Sequence, residues 1–256
     1  MPANASVLAV KSALKAEKHR ARCDEFVLKP SVRACVEQQE LRRKRRNNDA
    51  TLTQNTLSEL VASGERDPEA TLLAPKVLDY TDRDRIHSRG TSMDWFRLRP
   101  RTGAYGTEDS RRGEGEHSEQ IFPGSALLLK RKLLEKVGFL DEGFFLIHED
   151  ADLCLRNLKA GFKNVCVPNA HVYHKLSKTL NAYPFLSQYY SSRNFLYLAK
   201  AHAGFRGRVQ AALGLIARLL QNACLWPFSR ADEKQVLAGF FAGVRDYCRG
   251  KRGKYS

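Results

Sequence analysis

The sequence predicts an α/β domain followed by a block of helices. Three features of the chain point to it. Two apolar runs of strand character, ATLLAPKVLDY and KNVCVP, are each preceded by a helical pattern. The second of those patterns, EDADLCLRNLKAG, is strongly amphipathic and ends at Gly161. From residue 184 onward, PFLSQYYSSRNFLYLAKAH, RVQAALGLIARLLQNACLWPF and EKQVLAGFFAGVRDYCRG each repeat apolar residues at helical spacing.

Composition sets the limits. The 256 residues suit one large domain or two small ones, and 43% hydrophobic residues can build a core. The net charge of +15 favours an anionic partner: nucleic acid, acidic lipid or a phosphorylated substrate. The six cysteines form no CxxC pair, which argues against a zinc ribbon. Cys154 and Cys166 read as buried free thiols in a helix and a strand. No signal peptide and no uninterrupted apolar run of membrane-spanning length is visible, so a reduced cytoplasmic setting is expected.

Along the chain, residues 1–46 are an atypical basic segment with twelve Lys or Arg against five Asp or Glu, ending in LRRKRR. A short helix over residues 5–19 is the one element expected there. NNDATLTQNTLSELVASG reads as a loop and a helix, with Thr53 as N-cap and Leu57, Leu60 and Val61 as its apolar face. Residues 79–118 are polar and read as one long loop. QIFPGSALLLKR is a turn at Pro123-Gly124 followed by an apolar run, and KRKLLEKVGF a short helix closed by Gly138. In EDADLCLRNLKAG, Leu153, Leu155 and Leu158 face the core while Arg156 and Lys159 face water. KNVCVP stops at Pro168, and HVYHK is a second extended piece. Val209, Leu213, Ile216, Leu220 and Ala223 line one side of a helix that either packs on the domain or lies on a membrane surface.

Three polar groups could carry chemistry: Asn47-Asn48-Asp49, His148-Glu149-Asp150, and His171 with His174. A hard divalent cation prefers oxygen ligands and needs only one or two carboxylates when a substrate phosphate completes the shell. A separate carboxylate could then act as general base. His171 and His174 are three apart, so a strand points them to opposite faces.

The order NNDATLT, FPGSALLLKRKLLEKVGFLDEGFFLIHEDADLCLRNLKAGFKNVCVPNAHVYHK, YYSSRN resembles family-2 glycosyltransferases of the rhamnosyltransferase-like branch. The resemblance covers about residues 47–200. It implies a GT-A fold, a Rossmann-like α/β sheet. It also implies inverting transfer of a sugar such as rhamnose from a nucleotide-sugar to a polysaccharide or lipid-linked acceptor in cell-envelope polysaccharide synthesis, with Mg²⁺ or Mn²⁺.

Carried over by residue, Asp49 matches a metal-holding acid and Asn47 stands at the first acid of that motif, beside Asn48. Glu149 or Asp150 matches the catalytic base. His174 matches a histidine near the metal, Gly124 and Ser125 the strand end beneath the acceptor, and Arg193 an arginine near phosphate. The chain is expected to be cytoplasmic, peripheral at the inner face of the membrane.

The family's opening strand, helix and nucleotide-holding strand have no counterpart in residues 1–46, and a buried parallel strand cannot read RRKRR. The expectation is an incomplete GT-A domain over residues 47–200, with C-terminal amphipathic helices and a basic tail over 201–256. Residues 1–46 would be foreign or mistranslated, and activity uncertain because the donor site lacks its N-terminal part. A basic nucleic-acid-binding protein and a metal-dependent hydrolase using His148, Glu149, Asp150 and His174 are the competing readings.

Overall fold

The computed structural model describes residues 26–28, 50–101, 106–107, 115–175 and 182–255. Asn47, Asn48, Asp49, LRRKRR and the helix expected over residues 5–19 lie outside them. The described residues fall into two units. One comprises residues up to 91, 102–139 and 156–176; the other comprises 92–101, 140–155 and 177–256. Neither is a linear segment of the kind the sequence was divided into.

The first unit is built on two long strands, β3 (Ala70–Asp79) and β9 (Lys163–His174), which pair in parallel. Residues 70 to 78 are all buried, as a strand covered on both faces requires. Short strands complete each outer edge. Beside β3 lie β8 (Leu128–Lys130) and β4 (Ile86–Ser88). Beside β9 lie β7 (His117–Ser118) and β2 (Ala50–Leu52). The sheet is α/β and mixed, because every pairing but β3–β9 is antiparallel.

Helix α1 (Thr56–Arg66) packs Leu60 into a cluster with Ala70, Leu73, Leu128, Val165, Val167 and Ala170, with Leu57 and Val61 beside it. Helix α2 (Arg131–Val137) ends where expected, at Gly138, whose φ of 76° suits glycine.

Pro168 does not stop β9. The register passes from Val167 opposite Pro75 to His171 opposite Lys76, so residues 168–170 bulge out and the missing proline N–H falls where no ladder bond is due. Thr53 is not the N-cap of α1; Asn55 is, while the Thr53 hydroxyl meets that of Thr56 at 2.8 Å. The polar stretch 79–118 contains β4 and β7, together with β5 (Met93–Asp94) and β6 (Arg99–Pro100) in the second unit. The N-terminal segment supplies a strand, β1 (Phe26–Leu28), antiparallel to β8.

Helix α3 spans Glu149–Lys159 and closes at Gly161, φ 87°. Its last turn belongs to the first unit. There Asn157 accepts from the Thr71 hydroxyl at 2.7 Å and donates to Asn164 Oδ1 at 2.8 Å, a satisfied buried network. Arg156 does not simply face water. Its guanidinium donates to the carbonyls of Val137 at 2.6 Å and Phe139 at 2.7 Å, tying the end of α2.

The second unit is mostly helical: α4 (Pro184–His202), α5 (Phe205–Leu225) and α6 (Ala231–Cys248). α4 and α6 approach closely at glycines. A Cβ on Gly243 would stand 2.1 Å from Ser192 Oγ, and one on Gly239 2.3 Å from Phe185 O. The basic tail is not loose: Gly253 O accepts from Arg193 at 2.8 Å, and Tyr255 N donates to Tyr190 Oη at 2.8 Å. Cys154 and Cys166 are buried free thiols, as expected.

Candidate active site

In the second unit, FFLIHEDAD is a turn that feeds the first turn of α3. Phe145, Ile147 and His148 have φ of 60°, 65° and 72°. Such values are rare for bulky side chains and cost of order 1–3 kcal/mol each. Asn194 of α4 compensates. Its amide nitrogen lies 2.8 Å from Phe144 O, 2.7 Å from Leu146 O and 2.8 Å from Ile147 O. Its Oδ1 accepts from Arg193 Nε at 3.0 Å.

Arg193 is fully buried, although the resemblance implied a phosphate contact. Its guanidinium donates to Tyr189 Oη at 3.2 Å, Gly253 O at 2.8 Å and Phe144 O at 3.3 Å. Arg193 and Asn194 therefore hold one loop from one helix turn.

The turn sorts the acidic cluster into two pairs. His148 and Asp152 are buried. Asp152 Oδ1 meets His202 Nε2 at 2.8 Å. The His148 ring lies edge-on to Phe195, 5.9 Å between centroids, and its Nε2 has no hydrogen-bond partner among the described residues. Burial pushes the His148 pKa down to about 4, against the pull of the Asp150 charge and a hydrogen bond with the Ser191 backbone. Glu149 and Asp150 are left half-buried on the first turn, where the positive end of the helix dipole favours a carboxylate. Asn194 and His202 were not singled out from the sequence. The available signal was polar residues interrupting an aromatic helix, in SSRN and KAH.

In the first unit, the strand ends hold the other described candidates. His174 ends β9 beside Asp79, which ends β3. The His174 ring stacks on that of His87, centroids 5.6 Å apart at 19°. Burial lowers the His87 pKa, as does the His174 charge, while Asp79 opposes them. Asp79 Oδ1 accepts from the Thr81 hydroxyl at 2.6 Å and from the Asp82 amide at 3.0 Å, and the Thr81 hydroxyl leads the groups that lower its pKa to about 2. His171 differs from His174 in that its carbonyl anchors α1, accepting from the Thr56 hydroxyl at 2.6 Å. Gly124 and Ser125 form the turn before β8, and the buried Ser125 Oγ has no partner among the described residues.

No group of three His, Cys, Asp or Glu side chains that could hold a metal occurs among the described residues. His174 alone does not make a site. With one carboxylate and a substrate diphosphate it would suit a hard divalent cation of open coordination. Ala50, the residue after Asp49 in the chain, is the register partner of His174.

A sequence profile for "Glycosyl transferase family group 2" matches residues 47–224. The chain is 32% identical over 120 residues to N-acetylglucosaminyl-diphospho-decaprenol L-rhamnosyltransferase of Mycobacterium tuberculosis, in strain CDC 1551 / Oshkosh and equally in strain ATCC 25618 / H37Rv. That stretch is 44% of this chain and 39% of the relative, so the chain matches well under half of the relative's length. A solved structure of GalNAc-T7 with UDP, GalNAc and Mn²⁺ superposes on 49% of this chain and 26% of its own, at 15% identity and a TM-score of 0.38, too low to bear on function. The nucleic-acid and hydrolase readings are not favoured. Matched from Asn47 into α5, over well more than half of its length, the chain belongs to glycosyl transferase family group 2.

Proposed function

We propose that the chain is an inverting glycosyltransferase, or a derivative of one, that moves a sugar such as rhamnose from a nucleotide-sugar to a lipid-linked or polysaccharide acceptor. The observation that carries the reading is the clamped turn. Three left-handed residues, held by Asn194, present Glu149 and Asp150 together on the first turn of α3, inside the family match.

One of the two carboxylates takes the proton of the acceptor hydroxyl. That oxygen attacks the anomeric carbon, and the bond to the nucleoside diphosphate breaks on the opposite face. A divalent cation, Mg²⁺ or Mn²⁺, held by Asp49 and His174, would offset charge on the leaving diphosphate. The family motifs that Asp49 and His174 match, both within residues 47–224, support assigning them to one ion. Ser125 Oγ, without a partner among the described residues, suits a sugar or acceptor hydroxyl. Arg193 acts through the turn it anchors, not on phosphate. The proposed location is cytoplasmic, peripheral at the inner face of the membrane. The rhamnosyltransferase relative, named for a decaprenol-linked acceptor, supports the lipid-linked class.

The test is transfer of labelled rhamnose from dTDP-rhamnose to a polyprenyl-diphosphate-linked N-acetylglucosamine, with Glu149→Gln and Asp150→Asn. Loss of at least 10²-fold in one variant identifies the base. Equal turnover in both variants and wild type would remove the proposed base from the reaction.

A further inference from the structure

Helix α5 is built inside out. The residues it turns toward its own unit are small: Gly207, Ala211 and Gly214 are buried. A Cβ on Gly214 would stand 1.9 Å from Phe96 O, and one on Gly207 3.1 Å from Trp95 Cδ1. The large apolar residues face away. Val209, Leu213, Ile216 and Leu220 are 43%, 55%, 54% and 64% exposed. At helical periodicity they fall within a stripe roughly 60° wide. The sequence left two fates open for this side of the helix, and among the described residues it is not packed on the chain.

A soluble helix does the opposite, since burying large aliphatic side chains is its main source of stability. Exposed aromatic residues stand at both ends: Phe205 at the start, Trp226 and Phe228 just past the end. Aromatic side chains favour the level where hydrocarbon meets headgroups.

Charge selects the partner. Residues 205–230 contain four arginines, 206, 208, 218 and 230, and no Asp or Glu. Arg206 and Arg208 flank the stripe at one end, where Arg208 also donates to Lys200 O at 3.1 Å. A protein partner or second copy has no reason to require a surface free of acid; an anionic bilayer does. Phe205–Phe228 is long and apolar enough to cross a membrane. Its glycine face, however, is seated against the Trp95 side chain and the Phe96 backbone, and Arg218, which lies over the Phe240 ring at 5.9 Å, sits in mid-helix.

We propose that the outer face of α5 is a membrane-docking surface, which lies in the headgroup region of an anionic bilayer with its axis parallel to the plane. The use of this contact rests on the lipid-linked acceptor proposed above, but its test contains no acceptor or donor, so the two can fail separately.

The test is flotation of the full chain with vesicles of phosphatidylglycerol and phosphatidylcholine, and with phosphatidylcholine alone. The chain should float with the anionic vesicles and much less with the neutral ones. Leu213→Glu/Ile216→Glu should lower the partition coefficient by at least about tenfold, while retaining the wild-type melting profile, because both side chains are more than half exposed. Arg206→Gln/Arg208→Gln should weaken binding and flatten its salt dependence.

No flotation of the folded wild type overturns the proposal, as does flotation unchanged in the double glutamate variant. A wild-type dimer by sedimentation that the glutamate variant dissolves, without vesicle binding, would assign the face to a second copy. Resistance to alkaline carbonate extraction would make α5 a span instead.

Discussion

Asp152 Oδ1 and His202 Nε2 lie 2.8 Å apart with side chains 7% and 4% exposed, joining the first turn of α3 to the last of α4. The pair fixes the end of α4 to the helix that carries Glu149 and Asp150, three and two residues before Asp152. Removing the imidazole breaks a hydrogen bond between two buried side chains and leaves a void in its place, which costs more than an exposed pair contributes. We expect His202→Ala to lower stability by about 2–4 kcal/mol in urea unfolding. The double variant with Asp152→Asn should cost less than the sum of the singles.

Asn194 should matter both for folding and for the proposed transfer. Asn194→Ala removes the donor that serves the Phe144, Leu146 and Ile147 carbonyls and frees a turn with three positive-φ residues. The expected loss is about 2–3 kcal/mol of stability and at least tenfold in kcat. Asn194→Asp tests the mechanism further. It keeps the shape but offers acceptors to carbonyls, and should be no better than alanine.

His148 gives the fold an acid limb. Its pKa falls from 6.5 to about 4 in the folded chain, so the unfolded chain binds the extra proton first. Stability from keeping this ring neutral is complete above about pH 6.5 and drains away as pH falls toward about 4. The full shift corresponds to on the order of 3 kcal/mol. Chemical denaturation from pH 7 to pH 4 should show this slope, and His148→Phe should flatten it.

Gly243 offers a sign test for the α4–α6 packing. In an exposed helix, glycine to alanine stabilises by about 1 kcal/mol. Here the added Cβ meets Ser192 Oγ at 2.1 Å and Tyr189 O at 2.6 Å. Gly243→Ala should therefore destabilise, and Gly243→Val more so, by thermal melting. A stabilised Gly243→Ala would mean that the two helices are not in this contact.

Some of this was legible in the sequence because single residues decide it. α3 begins at the acidic cluster and stops just before Gly161, and β3 follows a largely apolar run. Other features depend on partners far along the chain. Pro168 ordinarily ends a strand, and only the pairing of β9 with β3 shows a bulge that absorbs it. β1 is three residues in a charged segment, and its pairing with β8 gives it its place. The roles of Arg193 and Asn194 are hidden for the same reason, since their partners lie 47 to 60 residues away. The stripe on α5 was visible as a stripe, but periodicity does not say which side of a helix meets water.

The most direct measurement is donor binding by calorimetry. The folded chain is titrated with dTDP-rhamnose and with UDP-sugars, with and without Mn²⁺, beside Asp49→Ala and His174→Ala. Metal-dependent binding to one donor, abolished in both variants, is the expected result. No binding to any of them by a chain whose melting transition is intact would contradict it, leaving a family member that does not hold a nucleotide-sugar.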